Sequence, residues 1–275
     1  MKILGFLFLV VGITAKAPAQ SLQLPFDYKV YYRMDFRPDS NSMDSRSKDM
    51  ILLVGKEGSL FESFERYTKD SVLYHHNPEE WNQRSMTPAM PISLVQKEDY
   101  LIHKQGADII TYDGPFGSRD LKGKKLVYRY KEKIEDLDWQ VTEEMDSIGG
   151  FECQKALLEY GGRLWTAYFT PEIDIHDGPY KFTGLPGLII KISDETDSWE
   201  FNLTAVEHTE GEVFANFQKW FEFQNKKKRE FFEDRKSYQE NLINTINGMG
   251  GGLPKEAEEA YSEKEEKDNN WIELY

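Results

Sequence analysis

The feature that most constrains the fold is a two-residue hydrophobic period that recurs along the chain. From position 28 to 36 the even residues are Tyr, Val, Tyr, Met and Phe, with Lys, Tyr, Arg and Asp between them. Positions 199 to 205 alternate in the same way. Successive side chains of a strand point to opposite faces, so this pattern predicts half-buried strands of an antiparallel sheet.

Glycine pairs and short polar turns join the predicted strands. Phe151–Tyr160 and Leu164–Thr170 flank Gly161-Gly162, a spacer that favours a primed hairpin turn. Leu188–Ile192 is a short apolar run typical of a buried strand. Five further segments are strand candidates: 50–54, 59–67, 100–103, 109–112 and 126–130.

The last part of the chain has a different pattern. No proline or glycine occurs from about 214 to 246, and apolar residues recur at helical spacing, which predicts a helix over Lys226–Ile246 ended by Asn247-Gly248. We expect this helix to cover one face of the sheet. Residues 248–275 are glycine-rich, then acidic, and we expect a flexible tail whose last five residues dock as an edge strand.

The N-terminus predicts export. Lys2 precedes an apolar run over Ile3–Ile13, and small residues follow at Ala15, Ala17 and Ala19, as in a cleaved secretory signal. The predicted domains are therefore a signal peptide at 1–19, a single β-rich domain at 20–247 and the tail at 248–275. We expect a periplasmic or secreted protein without a lipid anchor or a transmembrane span.

Charge and cysteine content narrow the functional classes. The chain has 34 Lys and Arg against 48 Asp and Glu, a net charge of −14 that would repel a nucleic-acid backbone. Cys153 is the one cysteine, so no intrachain disulfide forms, and we expect it to be buried as a small hydrophobic residue.

Candidate catalytic and metal-binding residues are few. The sequence contains no serine-hydrolase elbow, zincin pair, phosphate loop or dinucleotide fingerprint, so we assign no catalytic residue and no cofactor. On an extended segment Glu172, Asp174 and His176 would share one face, a donor set that suits zinc. A strand with a solvated side has the same pattern, and we favour that interpretation.

The segment Gly178–Ile189 stands out for its glycines and prolines. Turn chemistry accounts for Gly178, Pro179, Gly184, Pro186 and Gly187, with Pro186-Gly187 suited to a type II turn. A sheet corner is the interpretation we favour. The alternative is a shaped rim that presents three apolar residues to a ligand or partner: Tyr180, Phe182 and Leu185.

The same segment resembles a known family. Gly184–Ile189 spells the hexapeptide that gives the GLPGLI family of exported bacterial proteins its name, and flanking matches occur in the order Asp138-Trp139, Cys153–Ala156, Gly162–Trp165, Tyr168–Ile173, Gly178–Phe182 and Ile272–Leu274. The resemblance implies an exported protein of Gram-negative bacteria but brings no reaction with it. Asp174 and His176 depart from the family pattern, which argues against a family-wide metal site there.

These observations predict one mainly β domain: a large curved antiparallel sheet, or an incomplete barrel, with a C-terminal helix packed on it. The function we favour is a non-catalytic binding or accessory protein of the cell envelope, for an apolar ligand or an outer-membrane partner. Two alternatives stay open. One is a hydrolase or metal-dependent enzyme using Glu172, Asp174, His176 or Cys153, and the other is a structural partner of an outer-membrane receptor.

Overall fold

A computed structural model of the chain describes residues 22–68, 71, 100–113, 125–215, 221–246 and 254–274. The described residues contain two longer helices, α1 (Lys228–Ile246) and α2 (Lys255–Lys267), and a short 3₁₀ helix at Ile134–Asp136. Residues 64–68 are also helical, so the strand predicted over 59–67 ends at Ser63. They also contain twelve strands: β1 (Leu22–Phe36), β2 (Arg46–Gly55), β3 (Gly58–Ser63), β4 (Tyr100–Gln105), β5 (Asp108–Asp113), β6 (Lys125–Lys133), β7 (Gln140–Ile148), β8 (Phe151–Tyr160), β9 (Arg163–Thr170), β10 (Leu188–Asp194), β11 (Trp199–Ala215) and β12 (Phe221–Asn225).

These strands form one open sheet in the order β12-β6-β5-β4-β3-β2-β1-β11-β10-β9-β8-β7. Every neighbouring pair is antiparallel except β12 and β6, which are parallel. The sheet is not closed, because β12 and β7 lie at its two ends. The predicted mainly β fold class is confirmed.

Local sequence explains the central strands and hairpins. In β1, Val30, Tyr32, Met34 and Phe36 are buried, while Arg33 on the other face is exposed, as the alternation predicts. The pair Gly161-Gly162 joins β8 to β9 with φ angles of +61° and +75°. Two positive φ angles define the primed turn that matches strand twist, so that prediction is confirmed.

The predicted helix is present as α1. It begins two residues later than expected, at Lys228, and packs on β6 through Phe231, whose ring contacts Tyr128 and Tyr130. The proposed cap at Asn247-Gly248 and the signal segment 1–19 lie outside the described residues. None of the described helices has both the length and the apolar composition needed to cross a membrane.

The region predicted as a flexible tail is partly packed. Lys255–Lys267 forms α2, and the following segment, residues 268–274, crosses the end of the sheet without joining it as a strand. We call residues 268–274 the strap. Ile272 and Glu273 are buried, which differs from the predicted mobile tail and edge strand. Hydrogen bonds and ion pairs with residues distant in sequence hold the strap, and its acidic composition does not predict them.

Apolar residues fill both faces of the sheet around β2 and β3. Met50, Ile51, Leu52 and Leu53 are all fully buried, so successive residues of β2 enter two different cores. The larger core contains the segment Gly178–Ile189 and the inner faces of β8 to β11. On the outer face of these strands, side chains such as Leu164 reach solvent, as the alternation predicts.

Candidate functional site

The connection between β9 and β10 carries the residues that the sequence singled out. Tyr180, Phe182 and Leu185 are 3%, 0% and 2% exposed, so they do not form an exposed rim. Phe182 packs on Trp165 with 4.7 Å between ring centroids. A contact between these three residues and a ligand stays a prediction, and it would require the core to open.

Two tight turns fold this connection over the sheet. The Phe182 N–H donates to the Pro179 carbonyl at 3.1 Å, and Tyr180 between them has a φ of +52°. The Gly187 N–H donates to the Leu185 carbonyl at 2.9 Å, and Gly187 has a φ of +154°. A type II turn places glycine near +80°, so the structure replaces the predicted type II turn with a three-residue turn around Pro186.

A buried lysine fixes the start of the connection. Lys104 on β4 pairs with Asp177, and its Nζ donates to the Gly178 carbonyl at 2.7 Å. The Gly178 N–H donates back to the Asp177 carboxylate at 2.8 Å. At the far end the Tyr32 hydroxyl donates to the Ile189 carbonyl at 2.7 Å. The connection is therefore bonded to β4, and the start of β10 that follows it is bonded to β1.

A buried cluster of charges lies beside this connection, where β6, β8, α1 and the strap meet. We call it the ion cluster. Lys181 is 0% exposed and pairs with Glu273 of the strap and, at 2.7 Å, with Glu132 of β6. Lys228 of α1 pairs with the same two carboxylates, at 2.6 Å from Glu273. The members of the ion cluster are Lys181, Lys228, Glu132, Glu273, Tyr130, Tyr160 and Tyr180.

The tyrosines complete the hydrogen bonding of these charges. Lys181 Nζ donates to the Tyr130 hydroxyl at 2.9 Å, and the Tyr160 hydroxyl donates to Glu132 at 2.7 Å. The Tyr180 hydroxyl donates to Glu273. Lys228 Nζ lies 4.4 Å from the centroid of the Tyr160 ring, within cation–π range. The ammonium groups of Lys181 and Lys228 and the carboxylates of Glu132 and Glu273 thus belong to one hydrogen-bonded network.

Electrostatics keep two members of the ion cluster, Glu273 and Lys181, charged. Burial alone would raise the pKa of Glu273, but the ammonium groups of Lys181 and Lys228 outweigh it and lower that pKa to about 2. Burial would lower the pKa of Lys181, yet Glu273, Tyr130 and Glu132 raise it well above its ordinary value. A general acid or base works best with a pKa near the operating pH. The arrangement therefore suits a structural ion pair better than proton transfer.

Arg163 at the start of β9 anchors the strap a second time. Its Nη1 donates to Asp194 at 2.7 Å, and its Nη2 donates to the Asn270 side chain at 2.6 Å. Its Nε lies 3.1 Å from the Trp271 carbonyl. The Leu274 N–H donates to the Gly161 carbonyl at 2.7 Å. Gly161 in the predicted hairpin turn and Arg163 in the predicted strand thus hold the strap, whose packing the sequence did not predict.

Sequence reasoning missed this arrangement for a physical reason. Lys181 and Glu273 each lie in a segment that carries the family resemblance, but they are 92 residues apart. No periodicity links positions at that distance. Glu132 and Lys228 had no distinguishing local pattern at all. The available signal was Lys181 between two aromatic residues, as the one charged residue of the segment Gly178–Ile189.

The predicted metal candidates are not assembled into a site. Asp174 and His176 are exposed, with 3.6 Å between the His176 Nε2 atom and an Asp174 carboxylate oxygen. The Glu172 carboxylate instead accepts a hydrogen bond from the Glu152 N–H at 2.9 Å. Among the described residues, no group of three His, Cys, Asp or Glu side chains is close enough to hold a metal ion.

Cys153 lies in β8 and is fully buried in the larger core, as the sequence predicts. Burial raises the pKa of its thiol above the ordinary value, so the reactive thiolate is disfavoured. We expect a thiol reagent such as Ellman's reagent to label Cys153 at least about 100-fold more slowly in the native protein than in urea, since labelling requires local opening. Equal rates in the two conditions would contradict the buried placement.

An open groove lies on the outer face of the sheet. Between Tyr31 and Tyr32 of β1, the pairing with β11 shifts by one residue, from Ala205 to Leu203. This β-bulge leaves Thr204 without a register partner, and its hydroxyl donates to the Tyr31 carbonyl at 3.1 Å. Bulges bend a strand and re-aim its side chains.

The groove has a volume of about 450 Å³. Tyr31 and Phe64 form aromatic walls, with ring centroids 5.9 Å apart, and Phe64 is 39% exposed. Glu207 and Asp49 lie at its rim, and the Tyr31 hydroxyl donates to Glu207 at 3.0 Å. We call this feature the bulge groove. Its lining residues are Tyr31, Tyr32, Asp49, Met50, Phe64, Thr204, Ala205 and Glu207.

A much smaller cavity lies inside, under the strap. Its volume of about 20 Å³ accommodates one water molecule. Thr111 and Trp199 line it, and each has a buried polar atom without a hydrogen-bond partner in the described part of the chain. Arg235 of α1 also lines this cavity, and its guanidinium carbon lies 3.3 Å from the centroid of the Trp271 ring.

Comparison with solved structures gives distant similarities. Two structures described as PNGF-II, in the P21 and C2 space groups, align with TM-scores of 0.48 and 0.47 at 12% and 10% identity. Each alignment covers 77% of this chain and 33% of the other, so the chain spans about a third of their length.

A third structure is described as a putative outer membrane lipoprotein-sorting protein domain from Vibrio parahaemolyticus. It aligns with a TM-score of 0.24 and 11% identity over 70% of this chain and 87% of that one. No curated protein matches this chain. None of these similarities bears on its activity.

One family model matches part of the chain. Residues 162–191, from the β8–β9 turn into β10, match the family described as "Protein of unknown function (Porph_ging)". The matched segment includes Arg163, Tyr180 and Lys181, three of the side chains that hold the strap. Over this segment the chain is similar to a GLPGLI-associated family whose function is unknown.

Proposed function

We propose that this chain is a non-catalytic accessory protein of the cell envelope that binds a protein partner through the bulge groove. The observation that carries the proposal is the groove itself. An open, aromatic-walled depression of about 450 Å³ lies where a β-bulge interrupts the β1–β11 pairing. Bulges are over-represented beside functional sites.

The residue types in and near the groove are those that contribute most to protein interfaces. Tyrosine and arginine are enriched among residues with large binding contributions, and Tyr31 lies in the groove with Arg33 two residues away on the same face. Arg33 pairs with Asp49 at 3.1 Å, and both side chains are exposed enough to contact a partner. The partly exposed ring of Phe64 in the wall of the groove offers an apolar contact.

A protein partner accounts for the geometry better than an enclosed apolar ligand. Small-molecule pockets bury most of their ligand and usually measure roughly 300–1,000 Å³. The cavity under the strap has about 20 Å³, too little for such a ligand. The bulge groove has the volume but is open to solvent, which suits a side chain projecting from a partner's surface.

The envelope location is part of the same proposal. It rests on the predicted signal peptide at 1–19 and on the resemblance to exported proteins. An outer-membrane or other envelope protein is accordingly the kind of partner proposed. Cell fractionation of the native host with an antibody against the chain tests the location, and a cytosolic pool of full-length chain would contradict it.

The partner is tested by site-specific cross-linking. A photo-reactive benzoylphenylalanine at Ala205, inside the groove, should give one discrete adduct with an envelope protein. The same amino acid at Glu195, exposed in the β10–β11 turn, is the matched control and should not give that adduct. Phe64→Ala should remove the adduct formed from position 205. Identical adducts from both positions, or an adduct indifferent to Phe64→Ala, would refute the groove as the binding site.

A further inference from the structure

Aromatic rings and carboxylates meet in the bulge groove. Of its described lining residues, Asp49 and Glu207 are the charged ones, and both are acidic and exposed. Tyr31 and Phe64 form the aromatic walls, and the Tyr31 hydroxyl donates to Glu207 at 3.0 Å. The face of an aromatic ring attracts a cation, and a carboxylate beside it adds a charge-assisted hydrogen bond.

We propose that the partner side chain that enters the bulge groove is an arginine. Its guanidinium group lies against the Tyr31 and Phe64 walls and pairs with Glu207. This inference rests on the proposed function, since it names the chemistry by which the same groove contacts its partner.

Glu207 is the carboxylate that is available for such a pair. Its Oε2 atom accepts the hydrogen bond from Tyr31, and the carboxylate forms no ion pair within the described part of the chain. Burial and the hydrogen bond to Glu207 raise the pKa of Tyr31 to about 12, so the hydroxyl remains a donor at neutral pH. The Oε1 atom of Glu207 is left to accept from a guanidinium N–H.

Basic residues beside the groove already have carboxylate partners. Arg33 of β1 is shared between Asp49, at 3.1 Å, and Asp35, at 3.6 Å. Arg66, two residues after Phe64, pairs with the buried Glu62 at 3.4 Å. These cations therefore do not take the place of an incoming arginine at Glu207.

Lys29 shows that the aromatic residues next to the groove accept a cation. Its Nζ lies 5.7 Å from the ring centroids of both Phe26 and Tyr67, within cation–π range. Tyr67 packs on Phe64 with 6.1 Å between ring centroids, so these rings continue into the groove wall. Lys29 is the register partner of Glu207, yet no ion pair joins them in the described part of the chain.

An arginine fits these surroundings better than a lysine. Its guanidinium group is planar and more weakly hydrated than an ammonium group, so it can stack on a ring while its N–H groups donate to a carboxylate. The net charge of −14 on the chain adds a general attraction for a basic partner surface. A cation is thus favoured by the whole chain, and a guanidinium group by the groove.

The test attaches small side chains inside the groove by disulfide exchange, using the full chain with Ala205→Cys. Ala205 is exposed and is the register partner of Tyr31, whereas the natural Cys153 is fully buried. The protein is equilibrated with equal amounts of guanidinoethyl, aminoethyl and hydroxyethyl disulfides, and intact mass spectrometry counts the three mixed disulfides. Tethering gives each group a high effective concentration, so weak contacts become measurable.

At position 205 the guanidinoethyl group should be taken up about fivefold more than the hydroxyethyl group, with the aminoethyl group between them. Glu207→Gln should reduce this preference to about twofold or less. Glu210→Gln, which changes an exposed glutamate of the same strand, should leave it unchanged. Ser147→Cys, exposed next to Asp146, controls for the attraction of an acidic surface and should show a preference of about twofold or less.

Three results would overturn the inference: equal uptake of the guanidinoethyl and hydroxyethyl groups at position 205, greater uptake of the aminoethyl group, or the same preference at position 147. If the cross-linked adduct from position 205 forms while uptake is equal, the proposed function stands and the arginine is refuted. If the guanidinoethyl preference is present and no adduct forms, the groove binds a guanidinium group and the proposed envelope partner is refuted.

Discussion

Lys181→Met is expected to lower the free energy of unfolding by about 3–5 kcal/mol. The substitution keeps the length of the side chain but removes the ammonium group that Glu132 and Glu273 share. Of the ion pairs described for these two carboxylates, only those with Lys228 then remain, so the buried negative charge is less well compensated. Breaking a buried ion pair on one side carries a penalty of this size because the remaining charge stays desolvated. Urea unfolding followed by circular dichroism measures it.

Two comparisons make this prediction specific to the ion cluster. Lys191→Met removes a lysine that pairs with Glu200 at 2.6 Å, but both side chains are about a third exposed, so the cost should stay below about 1 kcal/mol. The double variant Lys181→Met/Glu273→Gln restores neutrality and should cost less than the sum of its two single substitutions. A Lys181→Met variant as stable as Lys191→Met would contradict a buried ion cluster.

The sheet was predictable because its signals are local. The alternation in β1 and the pair Gly161-Gly162 each act within a few residues, where side-chain direction and backbone φ decide the structure. The helix α1 was predictable for the same reason, to within two residues at its start. Strand order across the sheet, such as β1 between β2 and β11, has no comparable local signal.

The position of the aromatic residues in the β9–β10 connection was not predictable. A glycine- and proline-rich connection usually runs over the surface, which made an exposed rim with Tyr180 and Phe182 the alternative to the favoured sheet corner. In the structure this connection is turned inward, with Lys104 of β4 bonded to Gly178 and Tyr32 of β1 bonded to Ile189 at the start of β10. Those partners are distant in sequence, so the direction of the bend is set by tertiary contacts alone.

The strap shows the same limit. Residues 248–275 are acidic on average, and mean composition predicts mobility. One of those acidic residues, Glu273, is buried, and two lysines from elsewhere in the chain pair with it. Average charge describes the solvated residues of the segment and not the one that is buried.

Gly187→Ala is expected to cost about 3 kcal/mol or more. A Cβ at this position would lie 2.1 Å from the Thr170 carbonyl oxygen of β9, and the backbone has a φ of +154°. Crowding of a packed core costs about 1–3 kcal/mol, and an unfavourable backbone conformation adds about 1–3 kcal/mol. Because the obstructing atom is backbone in a paired strand, no side-chain rotation relieves the contact. Chemical denaturation of the purified variant gives the value.

Gly106→Ala separates crowding from backbone strain. Gly106 has a φ of +58° and open space around its would-be Cβ, so alanine there should cost only the left-handed backbone penalty of about 1–2 kcal/mol. The difference between the two variants then reports the close approach of the β9–β10 connection to Thr170 together with the less favourable backbone conformation at Gly187. If both substitutions cost the same, the connection does not pack against β9 as described, and the inward bend that places Lys181 beside Glu273 would lose its support.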